Sequence, residues 1–180
     1  MTKMKTYELV IMALFAALMC IFGPLSLPIG PVPISLTTLV IYIASGILGT
    51  KKATVSCIIY LLLGIVGLPV FSGFSGGLAK LAGPTGGYLI GYIPLAAICG
   101  VFFYIGKNKW YVPVLGMIIG TTITYTLGTI WFMLQMDMGL MESLTLCVIP
   151  FLIGDGIKVI VATVLVPAIR KPMIKAGLIQ

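Results

Sequence analysis

Nearly unbroken apolar runs alternate along the chain with short segments rich in Pro, Gly and charge. The runs cover about 7–23, 34–49, 53–68, 84–105, 112–134 and 144–168. Crossing ~30 Å of hydrocarbon takes about 20 predominantly apolar helical residues, and Pro, Gly and charge clusters mark where such helices stop. A transmembrane barrel would instead show alternating segments of ~10 residues. The pattern predicts an all-α polytopic membrane protein with six transmembrane helices, in a single substrate-binding domain over 1–180.

The connections carry their own pattern. "GPLSLPIGPVP" follows the first run, "GTKK" the second, "GLPVFSGFSGGLAKLAG" the third, "GKNK" the fourth and "QMDMGLME" the fifth. Lys3, Lys5, Lys51, Lys52, Lys107, Lys109, Arg170, Lys171 and Lys175 fall on one side with Glu8, and Lys80, Asp137 and Glu142 on the other. An excess of Lys and Arg marks the cytoplasmic side. Both termini are therefore expected inside, with the first and third connections outside. These two are the longest and are rich in Gly and Pro, as lids and binding loops often are.

Composition sharpens the class. Of 180 residues 60% are hydrophobic and 8% charged, against roughly 25% charged in soluble domains. The net charge of +7 does not imply nucleic acid, because the basic residues sit in small groups between apolar runs. Cys20, Cys57, Cys99 and Cys147 are scattered without a Cys-x-x-Cys pair, and there is no His, so no metal site is expected. The first run follows Lys3 and Lys5 like a leader, but "IFGPLSLPIGPVP" lacks an A-x-A cleavage site and is read as a retained helix.

The last run contains the exception. Within "FLIGDGIKVIVATVLVP" stand Asp155 and Lys158, and a charge inside a bilayer costs several kcal/mol unless paired or solvated, so it marks function by default. Three positions apart, the two share a helical face. In a helix running inward from near Leu144 they lie roughly 17 and 21 Å deep. One account is a self-neutralising pair. The other is a polar cavity that holds a ligand, with Pro150 and Gly154 loosening the outer part of the helix. Because apolar replacements of buried ion pairs are often neutral or stabilising, the second is favoured.

"GGLAKLAGPTGGYLIGY", Gly76 to Tyr92, is the next candidate. Pro84 suits a first helical turn, and Thr85, Gly86 and Gly87 would present free N–H groups at an outward-facing helix N-terminus. Gly87-x-x-x-Gly91 equally suits close helix packing. Ala13 and Ala17, four apart in the first run, allow close approach of another helix, within this bundle or from a partner. There is no Walker A loop, no G-x-S-x-G and no internal repeat of the inverted transporter kind. No catalytic residues or cofactor are expected, and active transport would need an outside energy source.

"PVPISLTTL", "YLLLGIVGLPVF", "GGLAKLAGPTGGYLIGY" and "GDGIK", in this order and spacing, resemble the BioY family, the biotin-binding S-components of energy-coupling factor (ECF) transporters. The resemblance runs from about Ala13 to Lys158 and beyond. It implies a six-helix subunit of a prokaryotic cytoplasmic membrane, surrounded by lipid, that binds biotin near the outer face. It also implies a transmembrane coupling protein and a pair of ABC-type ATPases as partners, with ATP hydrolysis driving reorientation and release inside. Ala13 and Ala17 match the docking element on the first helix, and the first connection, with Gly23, Pro28, Gly30 and Pro31, would act as a gate. One departure stands at Thr37, since the family pattern after "PVP" is closer to "TLQTL".

Biotin has two ureido N–H donors, a C=O acceptor, an apolar thioether ring and a carboxylate. Asp155 would accept from a ureido N–H, and Lys158 would donate to the ureido oxygen or the carboxylate. Tyr88 with Phe71 or Phe74 would pack on the rings. Charge-assisted hydrogen bonds of this kind are the strong ones. Two other classes remain: an ion-coupled carrier using Asp155 and Lys158 as a relay, which would transport alone, and an intramembrane enzyme, which would need a nucleophile beside Lys158.

Overall fold

Where water is absent every backbone N–H and C=O must be satisfied internally, and helices do this within one segment. The computed structural model, which describes residues 6–27, 32–106 and 109–178, is accordingly helical. In chain order the elements are α1 (Thr6–Phe22), β1 (Ser26–Leu27), β2 (Ile34–Ser35), α2 (Thr37–Ile65), α3 (Leu78–Ala82), α4 (Gly86–Ile105), α5 (Tyr111–Met136), α6 (Leu140–Cys147) and α7 (Ile149–Lys175). The four helices α2, α4, α5 and α7 are long and apolar enough to cross a membrane, and α1 is apolar but shorter, at 17 residues.

The expected runs 34–49 and 53–68 form the single element α2, which turns at Gly49 (φ 74, ψ 177). That φ is left-handed and suits Gly. Thr37 and Tyr60 line one small cavity, although a straight helix would hold them roughly 35 Å apart. The chain therefore doubles back at Gly49. Ile34 and Ser35, expected to open the helix, pair instead with Leu27 and Ser26 as a short antiparallel ladder. Pro33, directly before this ladder, disfavours a helical start there, since the residue preceding a proline is pushed out of the α region.

The run expected at 144–168 is broken at Val148 (φ −124, ψ −54), so α6 and α7 are separate helices. Pro150 lies in the first turn of α7, where its missing N–H costs nothing. Asp155 consequently sits about 9 Å from the start of its helix, nearer the end than the unbroken run implied. The third connection contains α3 and a Phe71–Ser75 bridge.

Glycines set the tightest helix contact. A Cβ on Gly87 of α4 would fall 2.4 Å from the Trp131 Cβ of α5, and one on Gly128 of α5 would fall 2.3 Å from the Tyr88 ring. The Thr124 hydroxyl donates across this contact to the Gly91 carbonyl at 3.0 Å. Ser45 of α2 donates to the Ala96 carbonyl of α4 at 3.1 Å, and Ser56 to the Met12 carbonyl of α1 at 3.0 Å. Tyr42, Tyr60, Phe71, Met19, Leu95 and Met117 fill the interior. The outer surface is apolar, with Leu134 and Ile153 each 78% exposed, a distribution suited to lipid rather than water.

The bundle has two distinct ends. At one, Lys52 pairs with Glu8 at 2.7 Å, and Gly49, Gly100 and Arg170 line a common cavity. At the other, Val32, Pro33, Tyr60, Thr85 and Tyr88 converge. The candidate site lies at this second end.

Candidate functional site

Asp155 and Lys158 project from α7 into the space between α2 and α5. They are 8% and 7% exposed, and the Lys158 ammonium donates to Asp155 Oδ1 at 2.7 Å. Neither group rests on the other alone. Lys158 Nζ also donates to Thr38 Oγ1 in the first turn of α2, at 3.0 Å, and the Tyr125 hydroxyl of α5 donates to Asp155 Oδ2. A buried pair is tolerated only when its remaining lone pairs and protons find partners, and Thr38 and Tyr125 supply them.

Above the pair is a cavity of about 50 Å³ walled by Val32, Pro33, Tyr88, Tyr92, Tyr125 and Phe151. A second space of about 30 Å³ shares Val32, Pro33, Ser35, Tyr88 and Tyr92 with it and adds Thr37, Tyr60 and Thr85. Thr85 Oγ1 is buried with no hydrogen-bond partner among the described residues, a position that calls for an occupant. Both spaces are far below the roughly 300 Å³ of small-molecule pockets, so the described side chains are packed close around the pair, with Val32 and Pro33 forming part of the wall. A molecule bearing N–H and C=O groups would find a carboxylate and an ammonium on one wall, with tyrosine and threonine hydroxyls around it.

Of the residues singled out in the sequence, Asp155, Lys158, Tyr88 and Thr85 come together at these two spaces. Gly86 and Gly87 are buried behind them; the Gly86 N–H donates to the Gly83 carbonyl at 3.0 Å, and Gly87 packs on α5. Phe71 is fully buried and sits edge-on to Tyr60, with ring centroids 5.6 Å apart, so it backs a lining residue without lining the site. Phe74 is 68% exposed and lines neither space. On α1, Ala13 and Ala17 are exposed beside Val10 and Leu14, not buried within the bundle. Gly23 ends α1 where a Cβ would meet the Val70 carbonyl oxygen at 2.3 Å; Pro28, Gly30 and Pro31 of the expected gate lie outside the described residues.

Several lining residues were not anticipated: Tyr125, Tyr92, Thr38, Ser35 and Phe151. The sequence held little signal for Tyr125, because Thr122 and Thr126 interleave with Thr121, Thr124, Tyr125 and Thr129 and put hydroxyls on the exposed face of the helix as well as the inward one.

Comparison with known proteins agrees along almost the whole chain. The sequence model of the BioY family matches residues 1–175. The probable biotin transporter BioY of Pyrococcus horikoshii is 37% identical over 162 residues, covering 90% of this chain and 95% of that protein. Biotin transporter BioY2 of Lactococcus lactis subsp. cremoris is 34% identical, covering 91% of this chain and 90% of its own. A crystal structure of the S-component for biotin from an ECF-type ABC transporter superposes with a TM-score of 0.86 at 34% identity, covering 95% of this chain and 94% of that one. The match over residues 1–175, with relatives of this identity and coverage, shows that the chain belongs to the BioY family.

Proposed function

We propose that this chain is the biotin-binding S-component of an ATP-driven ECF-type uptake transporter in the cytoplasmic membrane of a prokaryote. The observation that carries the reading is the Asp155–Lys158 pair, held by Thr38 and Tyr125 at the wall of a small cavity. Asp155 accepts from a ureido N–H of biotin and Lys158 donates to the ureido oxygen or the carboxylate. Tyr88 and Tyr92 pack on the bicyclic rings, and the unpartnered Thr85 hydroxyl meets a polar atom of the ligand. Leaving any of these buried groups unpaired penalises analogues without the ureido.

The turn at Gly49 supports reading α2 as two crossings, which with α1, α4, α5 and α7 makes six. The basic end faces the cytoplasm under the Lys and Arg rule, with both termini inside and the cavity outside. Biotin enters where Val32 and Pro33 move away. The exposed Ala13 and Ala17 face docks on a transmembrane coupling protein, and a pair of ABC-type ATPases supplies the energy. This chain performs no chemistry of its own. The relatives above are named as biotin transporters, and no contact in the site favours an ion relay or an intramembrane enzyme.

Titration of the detergent-purified chain with biotin tests the reading. Saturable binding at or below micromolar biotin, with markedly weaker binding of an analogue lacking the ureido group, is expected. Absence of binding at micromolar biotin would refute it.

A further inference from the structure

A large open space among the described residues is at the opposite end from the pair, between the α4–α5 connection and α7. This groove of about 510 Å³ is floored by Phe103, Pro113, Val166 and Pro167 and rimmed by Lys109, Arg170 and Lys171, with Trp110 beside them. Among the described residues no acidic side chain lines it. Arg170 Nε is buried without a hydrogen-bond partner among the described residues, and Arg170 also lines an adjoining space of about 330 Å³ with Gly49 and Gly100. Lys109 lies 6.0 Å from the Tyr111 ring centroid, and Trp110 is 76% exposed.

We infer that this groove is a binding site for one anionic phospholipid, its phosphate among Lys109, Arg170 and Lys171 and an acyl chain along Phe103, Pro113 and Val166. Three cations without a counter-anion in the same lining form a charge complement to a phosphodiester. A guanidinium offers that group a planar fork of donors, and it would satisfy the orphaned Arg170 Nε. The apolar floor directly below the basic rim matches the order of headgroup and hydrocarbon in a leaflet, and Trp110 occupies the level where tryptophan is favoured. Basic clusters at the membrane surface attract anionic lipid. A soluble anion would leave the floor uncovered.

Native mass spectrometry of the full chain, released from detergent in the presence of phosphatidylglycerol or phosphatidylcholine with identical acyl chains, tests this. One phosphatidylglycerol is expected to be retained at a concentration at least tenfold below that needed for phosphatidylcholine. Arg170→Gln with Lys109→Gln should abolish that preference and leave biotin titration of the same sample unchanged. Lys109→Gln alone, at an exposed position, should lower the preference several-fold and serves if the double variant fails to fold. Equal retention of the two lipids, or unchanged preference in the variants, overturns the proposal. So does loss of association with a coupling protein in Arg170→Gln while lipid preference stays intact, because the groove would then take a protein segment.

Discussion

Lys158 Nζ donates to Thr38 Oγ1 at 3.0 Å, tying the interior of α7 to the first turn of α2 directly after the β1–β2 ladder. The ammonium is thereby aimed by a residue just after β2, the short strand that follows Val32 and Pro33 of the cavity wall. Thr38→Val keeps the shape and removes the acceptor. It should weaken biotin binding by about 1 kcal/mol, the ordinary net worth of a hydrogen bond, while Thr38→Ser binds like the parent. Calorimetric titration of the two variants separates orientation from packing.

Asp155→Asn and Lys158→Ala should each weaken biotin binding by at least ~1.5 kcal/mol, the low end for hydrogen bonds to charged groups. Each also leaves one buried charge uncompensated, so each should lower the melting temperature in detergent. Asp155→Asn combined with Lys158→Met should melt higher than either single variant, since removing both charges relieves that penalty, yet bind no biotin. If both single variants bind normally, the pair is structural only.

The Tyr125 hydroxyl is the second anchor of the carboxylate. Tyr125→Phe leaves Asp155 Oδ2 without this donor, and affinity should fall by about 1.5–3 kcal/mol, the range for bonds to charged groups. Comparing biotin with an analogue lacking one ureido N–H locates the loss. Tyr125→Phe should cost biotin more than it costs the analogue if Asp155 receives that proton.

Gly87→Leu places a side chain where a Cβ already lies 2.4 Å from the Trp131 Cβ and 2.8 Å from the Leu127 carbonyl oxygen. Overpacking of this kind costs about 1–3 kcal/mol, and the melting temperature should drop accordingly. Gly156→Ala, with nothing within 4 Å of the added carbon, should be neutral or raise stability by about 0.5–1 kcal/mol. A reversed order of these two variants would show that α4 and α5 do not meet as described.

Ala13→Trp and Ala17→Trp alter an exposed face of α1 that touches none of the lining of the site. Biotin binding by the isolated chain should be unchanged, and ATP-dependent uptake in liposomes containing the coupling protein and its ATPases should be lost. Uptake at the parental rate would move docking to another face.

Helix positions were written in the hydrophobic pattern because each membrane segment must satisfy its own backbone. The turn at Gly49 was announced by "GTKK", a short basic interruption. The break at Val148 was not, since Val148 is apolar and its neighbours continue the run; only Pro150 hinted at a fresh start. In the site, Asp155 and Lys158 stood out because charge is rare in such a chain. Tyr125, Tyr92 and Thr38 did not, because a hydroxyl in an apolar helix is ordinary until its partner from another helix is known. Phe71 and Phe74 were misleading for a related reason. Aromatic residues in one loop share a sequence signature whether they pack under Gly64, as Phe71 does, or point outward at positive φ, as Phe74 does.

The ion pair on α7 sums to zero charge, with Lys158 Nζ and Asp155 Oδ1 2.7 Å apart. On the proposed reading, biotin at neutral pH brings a carboxylate to this pair, so binding there adds one net negative charge. Carrying that cargo inward runs against an inside-negative potential and costs up to about 2.3 kcal/mol per 100 mV. On that reading the voltage opposes the inward, loaded step, which is the step the proposed nucleotide hydrolysis would have to drive.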